Sequence, residues 1–430
     1  MKNWAARIND FRPIRQLADN WHQYFVLGAF FVILYPPFLY HYGYKFLNII
    51  NTDLPSFWCA AQAAFKLDTP PYDRNFLQTL LSSQHVYPFL YPPPSLFFFY
   101  PLSKLSYAEA RLAVLAVNHV LVLFLIWFLP IKLMRLSIWK DTLAIVWSSV
   151  YILFFYPLAL LLDHGQINLL LACSLYLFWF FSRSNRSLPA AIFLVIGIML
   201  KTYPILVILF LLICKKYRII TYSLLLSAGL TTLSLLILPV NFWTDWLLQV
   251  APSGGYTQTP LGLFSPAALG NQSLNGFFAR LFTEHVWEAM PILINPALAK
   301  ALTYASAAVL LSVSLYAVYK RHIKNAAHAF NWAMLIFLPL MYLVAPLSWE
   351  HHQVYLLAGI IILFVAALKG ELDSIPFSIL VLLSAATICL RGLLAFKFAA
   401  ILFLWYVAVA LALADKPGFL IGDSTGGHRP

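Results

Sequence analysis

Asp53 stands in the stretch NTDLPSFWCAAQAAFKLDTPPYD (51–73), just after an apolar run long enough to cross a membrane. A carboxylate there can act as a general base, taking the proton of a hydroxyl as that hydroxyl attacks. It can equally cap the helix that LPSFWCAAQAAFK predicts, with Pro55 in the first turn. Phe57, Trp58 and Phe65 mark the apolar face of that amphipathic helix, so the pattern predicts a helix lying at the lipid interface. Asp53 would then sit where a lipid-borne molecule meets a polar one.

Lys201 interrupts GIMLKTYPILVI (197–208), inside an apolar stretch running from Pro189 to Cys214. A lysine at membrane depth costs roughly 2.5–3.5 kcal/mol on insertion scales unless something compensates. Either it snorkels to the interface or it is a cation that awaits an anion such as a lipid phosphate. PLSWEHHQV (346–354) places Trp349, Glu350, His351 and His352 at the start of a span. Neighbouring helical residues point about 100° apart, which predicts that one of the two histidines faces any given site. No second ligand pair at helical spacing accompanies them, so no metal is expected.

Two further stretches present polar groups near apolar helix starts. DHGQINLL (163–170) offers His164, Gln166 and Asn168, and LGNQSLNGFFARL (269–281) offers Asn271 and Asn275. Such groups suit sugar hydroxyls, and they suit helix capping equally. FLYPPPSLFFFYPLS (89–103) is stiff, aromatic and rich in proline; its Tyr91 either lines a lipid groove or simply packs.

The elements that must position these groups are membrane helices. With 62% hydrophobic and 10% charged residues, the 430-residue chain is not an ordinary soluble globule. Apolar runs near the ~20 residues needed to cross a bilayer recur to the C-terminus, continuous rather than alternating, which excludes a barrel. Full spans are expected near 22–42, 109–131, 142–162, 167–182, 219–239, 298–319, 326–346, 352–368, 375–391 and 398–414. Shorter apolar pieces near 88–103, 189–200 and 204–214 either span or re-enter, giving 10–13 such helices in a single domain. The two long outer segments fall at 43–108 and 240–297.

The formal charge of +12 reports topology rather than nucleic-acid binding, because the basic residues sit in short caps between spans. Lys2, Arg7, Arg12 and Arg15 place the N-terminal arm in the cytoplasm, and ten full spans return the C-terminus there. On that topology 18 Lys and Arg lie in inner segments and 7 in outer ones. The first apolar run lacks a small-residue cleavage site and reads as an anchor. Cys59, Cys173, Cys214 and Cys389 form no CxxC pair and read as small buried hydrophobes. The NQS at 271–273 fits a glycosylation pattern that is common by chance.

In this order, DLPSFWCAAQAAFKLDTPPYD, FLYPPPSLFFFYPLS, HGQINLLLA, MLKTYPILVILFLL, NQSLNGFFARL and PLSWEHHQVYL resemble glycosyltransferase family 87, over about residues 22–370. KLDTPPYD departs from the pattern, where a glycine is expected before the acidic residue. The resemblance implies the C-type multispanning fold and a polyprenyl-phosphate-sugar donor. It gives the role of base to Asp53, and the donor-phosphate side to Lys201, His351 and His352. It implies an inverting transfer, of mannose first among sugars, to a lipid or glycan acceptor at the outer face of the bacterial inner membrane. A phosphate leaving group met by these cations needs neither metal nor cofactor. No Gly-rich nucleotide loop is present, in keeping with a lipid-borne donor. A lipid or polysaccharide transporter is the alternative. It would need polar groups along a path through the bilayer, whereas here they gather at one face and no matched pair of halves is seen. A purely structural membrane protein would not need the aspartate, lysine and histidine set.

Overall fold

The structure, a computed structural model, describes residues 21–48, 52–138, 140–285, 290–372 and 374–414. The basic N-terminal arm and the C-terminal tail lie outside the described residues. The protein is 77% helical, with no strand among the described residues. Among the described residues, five helices are long and apolar enough to cross a membrane: Tyr107–Leu133, Tyr217–Ile237, Pro296–Lys324, Glu350–Leu368 and Leu394–Leu413. It is therefore an all-α polytopic membrane protein.

The run expected as one span at 142–162 is two helices, Thr142–Phe154 and Tyr156–His164, bent by 44°. Phe155 between them is extended, at φ −69° and ψ 102°. Pro157 explains the break, since it has no N–H to give to the carbonyl of Leu153. The short apolar piece at 88–103 is a proline-rich segment followed by a helix of only 8 residues, Leu96–Ser103. At 1.5 Å per residue that is about 12 Å, too short to cross a hydrocarbon core.

This short helix packs on Leu54–Lys66, and the pair corrects the expected lipid-interface position of the latter. Ten of its 13 residues are buried. The Phe57 ring stacks on Phe99 at 4.9 Å and meets Tyr91 edge-on at 5.5 Å. Trp58 donates to the carbonyl of Leu105 and Gln62 to that of Ser103. Ala60, Ala61, Ala63 and Ala64 are small enough to let neighbouring backbones close in, so the helix sits inside protein rather than on lipid.

The other helices pack through a continuous apolar core, with a few polar contacts at their ends and crossings. Asn325 ends Pro296–Lys324 and starts Ala326–Val344, its side chain accepting from the N–H of His328. Tyr176, on Asn168–Arg183, donates to the carbonyl of Val354 at 2.8 Å and accepts from the N–H of Ala358 at 3.2 Å. It thereby supplies partners where the tight turn Glu350–Leu356 widens into the helix Leu357–Leu368. That turn carries both histidines.

Candidate active site

Asp53 precedes the helix Leu54–Lys66 in an αR conformation, at φ −106° and ψ −31°, and its carboxylate caps no N–H of that helix. Instead its backbone N–H donates to the carbonyl of His164 at 3.1 Å. This contact docks the turn 163–168 on the helix start. The docking needs Gly165, which ends Tyr156–His164 at φ +68° and ψ 35°. A Cβ there would stand 2.8 Å from that of Leu54. Thr52 Oγ1 lies 2.5 Å from His164 Nδ1 and 3.4 Å from Asp53 Oδ2. Lys45, in the last turn of the helix Trp21–Asn48, pairs with Asp163 and braces the same turn.

The Gln166 side chain borders the same cavity as Asp53 and favours the ionised form of the Asp53 carboxylate. The amide oxygen of Gln166 is engaged by the N–H of Ile167 at 3.3 Å and by Asn168 Nδ2 at 3.2 Å, which leaves its nitrogen for Asp53. Asn168 thus orients the amide that favours the ionised aspartate. Asp53 is half-buried, its free surface facing a cavity within the protein. Burial pushes its carboxyl above the ordinary range, while His164, Gln166, Lys201 and Thr52 pull it back.

The cavity has a volume of about 330 Å³. It is bordered by Asp53, Tyr91, His164, Gln166, Lys201, Trp349, Glu350, His351 and His352. Lys201 follows the helix Ser187–Leu200 in extended conformation, before Pro204 opens the next helical stretch. Its ammonium lies 4.9 Å from the centre of the Tyr91 ring and feels the charge of Asp53. Among the described residues no carboxylate pairs with it.

Both histidines border the cavity, where one was expected. Their rings meet at 4.6 Å and 86°, and His351 meets His164 at 5.1 Å. The cavity wraps the end of the turn, so side chains pointing apart still reach it. His352 Nδ1 accepts from the N–H of Trp349 at 3.3 Å, while the buried Nε2 of His351 has no hydrogen-bond partner among the described residues. No three His, Cys, Asp or Glu side chains converge as a metal-ligand set among the described residues.

Asn271 and Asn275 do not border the cavity. Asn271 is wholly buried; its oxygen accepts from Ser273 and the N–H of Ser348, and its nitrogen donates to the carbonyls of Pro266 and Pro346. Asn275 accepts from the N–H of Thr257 and donates to the carbonyl of Pro346. They staple the segment 257–275 to the segment leading into Trp349. Gly270 lets Trp349 close on the former, since a Cβ would stand 2.9 Å from its ring.

Sequence reasoning missed Tyr87, Phe264 and Lys397. Tyr87 and Phe264 line the cavity with rings 5.6 Å apart, and Phe264 meets Trp349 at 5.7 Å; loop aromatics give no periodic signal. Lys397 reads in the sequence as one more basic cap. Its position inside an apolar helix is the same signal that marked Lys201.

A second cavity, of about 370 Å³, adjoins the first. The two share Leu90, Tyr91, Lys201 and Leu347, and the second is walled mainly by apolar groups such as Leu200, Trp246, Val250 and Pro260. A carboxylate free of capping duty, an unpaired ammonium and an unpartnered imidazole nitrogen can together deprotonate a hydroxyl and stabilise an anion. The family model described as glycosyltransferase family 87 matches residues 89–346, well over half of the chain. The matched stretch includes Tyr91, His164, Gln166 and Lys201 but neither Asp53 nor the turn 349–352. No curated protein matches the chain, and no solved structure does.

Proposed function

The chain belongs to glycosyltransferase family 87, and on that premise we propose that it moves a sugar, mannose first among them, from a polyprenyl-phosphate donor to a hydroxyl of a lipid or glycan acceptor. The reaction takes place at the outer face of the bacterial inner membrane. Asp53 takes the proton of the acceptor hydroxyl as its oxygen bonds to the anomeric carbon. The bond from that carbon to the phosphate oxygen breaks, and its electron pair leaves with the polyprenyl phosphate. Lys201, His351 and His352 meet the charge that grows there. With one base and no second carboxylate acting as nucleophile, the sugar inverts.

The observation that carries this reading is the meeting of the two cavities at Lys201 and Tyr91. The cavity holding Asp53, His164, Gln166 and the histidine pair suits the sugar and the acceptor hydroxyl. The adjoining one, walled by Leu200, Trp246, Val250 and Pro260, suits the first isoprene units. A phosphate joins those two parts of the donor, and a cation stands at the joint.

The test is incubation of the purified protein in lipid with radiolabelled polyprenyl-phosphate mannose and a mixture of lipid and glycan acceptors. Label should move to an acceptor. Absence of transfer with every polyprenyl-phosphate sugar tried would overturn the reading. Movement of intact donor across a sealed bilayer without transfer would establish a transporter instead.

A further inference from the structure

Lys397 lies in the second turn of the C-terminal helix Leu394–Leu413, and its side chain is wholly buried. A cation near a helix N-terminus faces the positive end of the macrodipole, so the folding of this helix does not call for it. Its partner does. The ammonium pairs with the carboxylate of Glu350, which borders the cavity and is only 12% exposed. It also donates to the carbonyl of Ile388 at 3.0 Å and lies 5.2 Å from the centre of the Tyr156 ring. The next residue, Phe398, donates its N–H to Gln272 Oε1 at 3.0 Å, fastening the same helix start to the segment 257–275.

Glu350 immediately precedes His351 and His352. Its negative charge therefore sits on the wall that would receive the donor phosphate. The charged and titratable groups around it include Lys397 of the C-terminal helix, Tyr156 with Arg391 over its ring, Tyr342 of the helix Ala326–Val344, and the two histidines of its own turn. An uncompensated carboxylate there would repel a phosphate, and a buried carboxylate that loses its partner is costly in itself.

We propose that Lys397 is a positioning residue for the transfer: by pairing with Glu350 it cancels that charge and holds the Trp349–His352 turn, so that the wall formed with Lys201 stays electropositive toward an anionic donor. The inference rests on a polyprenyl-phosphate sugar being the donor. It assigns Glu350 to Lys397 rather than to the substrate.

The experiment measures donor KM, kcat and melting temperature for variants in lipid nanodiscs, with polyprenyl-phosphate mannose as probe. Lys397→Met leaves the Glu350 charge facing the donor phosphate and should raise donor KM about 10-fold, with kcat changed far less. Lys397→Arg should keep most of the wild-type affinity. Glu350→Gln keeps a side-chain oxygen that can accept from the Lys397 ammonium and so hold the turn, while it removes the negative charge; it should tighten donor binding. The double variant Glu350→Gln/Lys397→Met should return donor KM to within about 3-fold of wild type, because the two residues act as one coupled pair. An unchanged KM in Lys397→Met with only a lowered melting temperature would overturn the proposal. So would weaker donor binding in Glu350→Gln, or a double variant as poor as Lys397→Met. Should Lys397→Met fail to fold, Glu350→Gln and the charge-balanced double variant decide alone. A wild-type protein that binds no such donor would instead overturn the functional reading, and the inference with it.

Discussion

Asp53 and Asp73 each stand immediately before a helix, twenty residues apart, and they do opposite things. Asp73 is extended, at φ −78° and ψ 104°, and its Oδ1 accepts from the N–H groups of Asn75 at 2.9 Å and Phe76 at 3.3 Å. Asp53 has αR geometry and caps nothing. An N-cap needs β-region backbone to swing its oxygen over the first N–H groups. The contact from Asp53 N–H to the carbonyl of His164 holds the backbone away from that region, and Pro55 has no N–H to cap. A carboxylate at a helix start is thus released for chemistry when the backbone denies it the capping geometry.

Neutralising each aspartate in turn separates the two roles. Asp53→Asn should lower transfer by ~10²–10⁴-fold, the range for loss of a general base, with donor binding kept. Retention of more than about half the wild-type rate in the transfer assay would end the assignment. Next in size is Lys201→Met, where loss of a charge-assisted contact of ~1.5–3 kcal/mol predicts a roughly 10- to 150-fold weaker donor affinity. Equal affinities would remove Lys201 from the site.

The environment of Asp53 makes a smaller prediction, in pH. Only its ionised form is a base, so its raised pKa puts the acid limb of the rate profile above the ordinary carboxylate range. Gln166→Leu removes a group that favours the ionised form and should move that limb higher still. The same shift has a sign for stability. The folded state holds the proton more tightly than the unfolded chain, so ionised Asp53 costs stability as pH rises through its folded pKa. Asp53→Asn should therefore melt higher than wild type above that window and equally below it, by thermal denaturation across pH. Asp73→Ala completes the contrast as the smallest effect. It should cost about 0.5–2 kcal/mol in denaturation, as loss of an N-cap does, with transfer within about 2-fold of wild type.

Residue type and local cost marked Asp53, Lys201 and the histidine pair in the sequence, because each is expensive where it stands. Helical, membrane-spanning architecture was legible for a similar reason, since apolar runs of that length have few other uses. Function of the amides was not legible. Asn271 and Asn275 look like sugar-binding groups, and only the folded loop shows their amides engaged by backbone groups and by the Ser273 hydroxyl. Phe57 read as lipid-facing because amphipathicity does not say what covers the apolar face. Glu350 could not be matched with Lys397 because 47 residues separate them, and charge pairing at that range is set by packing.

The shared wall between the two cavities carries a consequence for how turnover should scale. A donor whose tail occupies the apolar cavity reaches Lys201 from within the lipid phase, moving in two dimensions rather than three. Its effective concentration is then a mole fraction of the surrounding bilayer, indifferent to the volume of buffer. Diluting proteoliposomes into more buffer should leave the rate per enzyme unchanged. Fusing them with donor-free lipid should lower it in proportion, so that saturation is properly expressed in mole per cent.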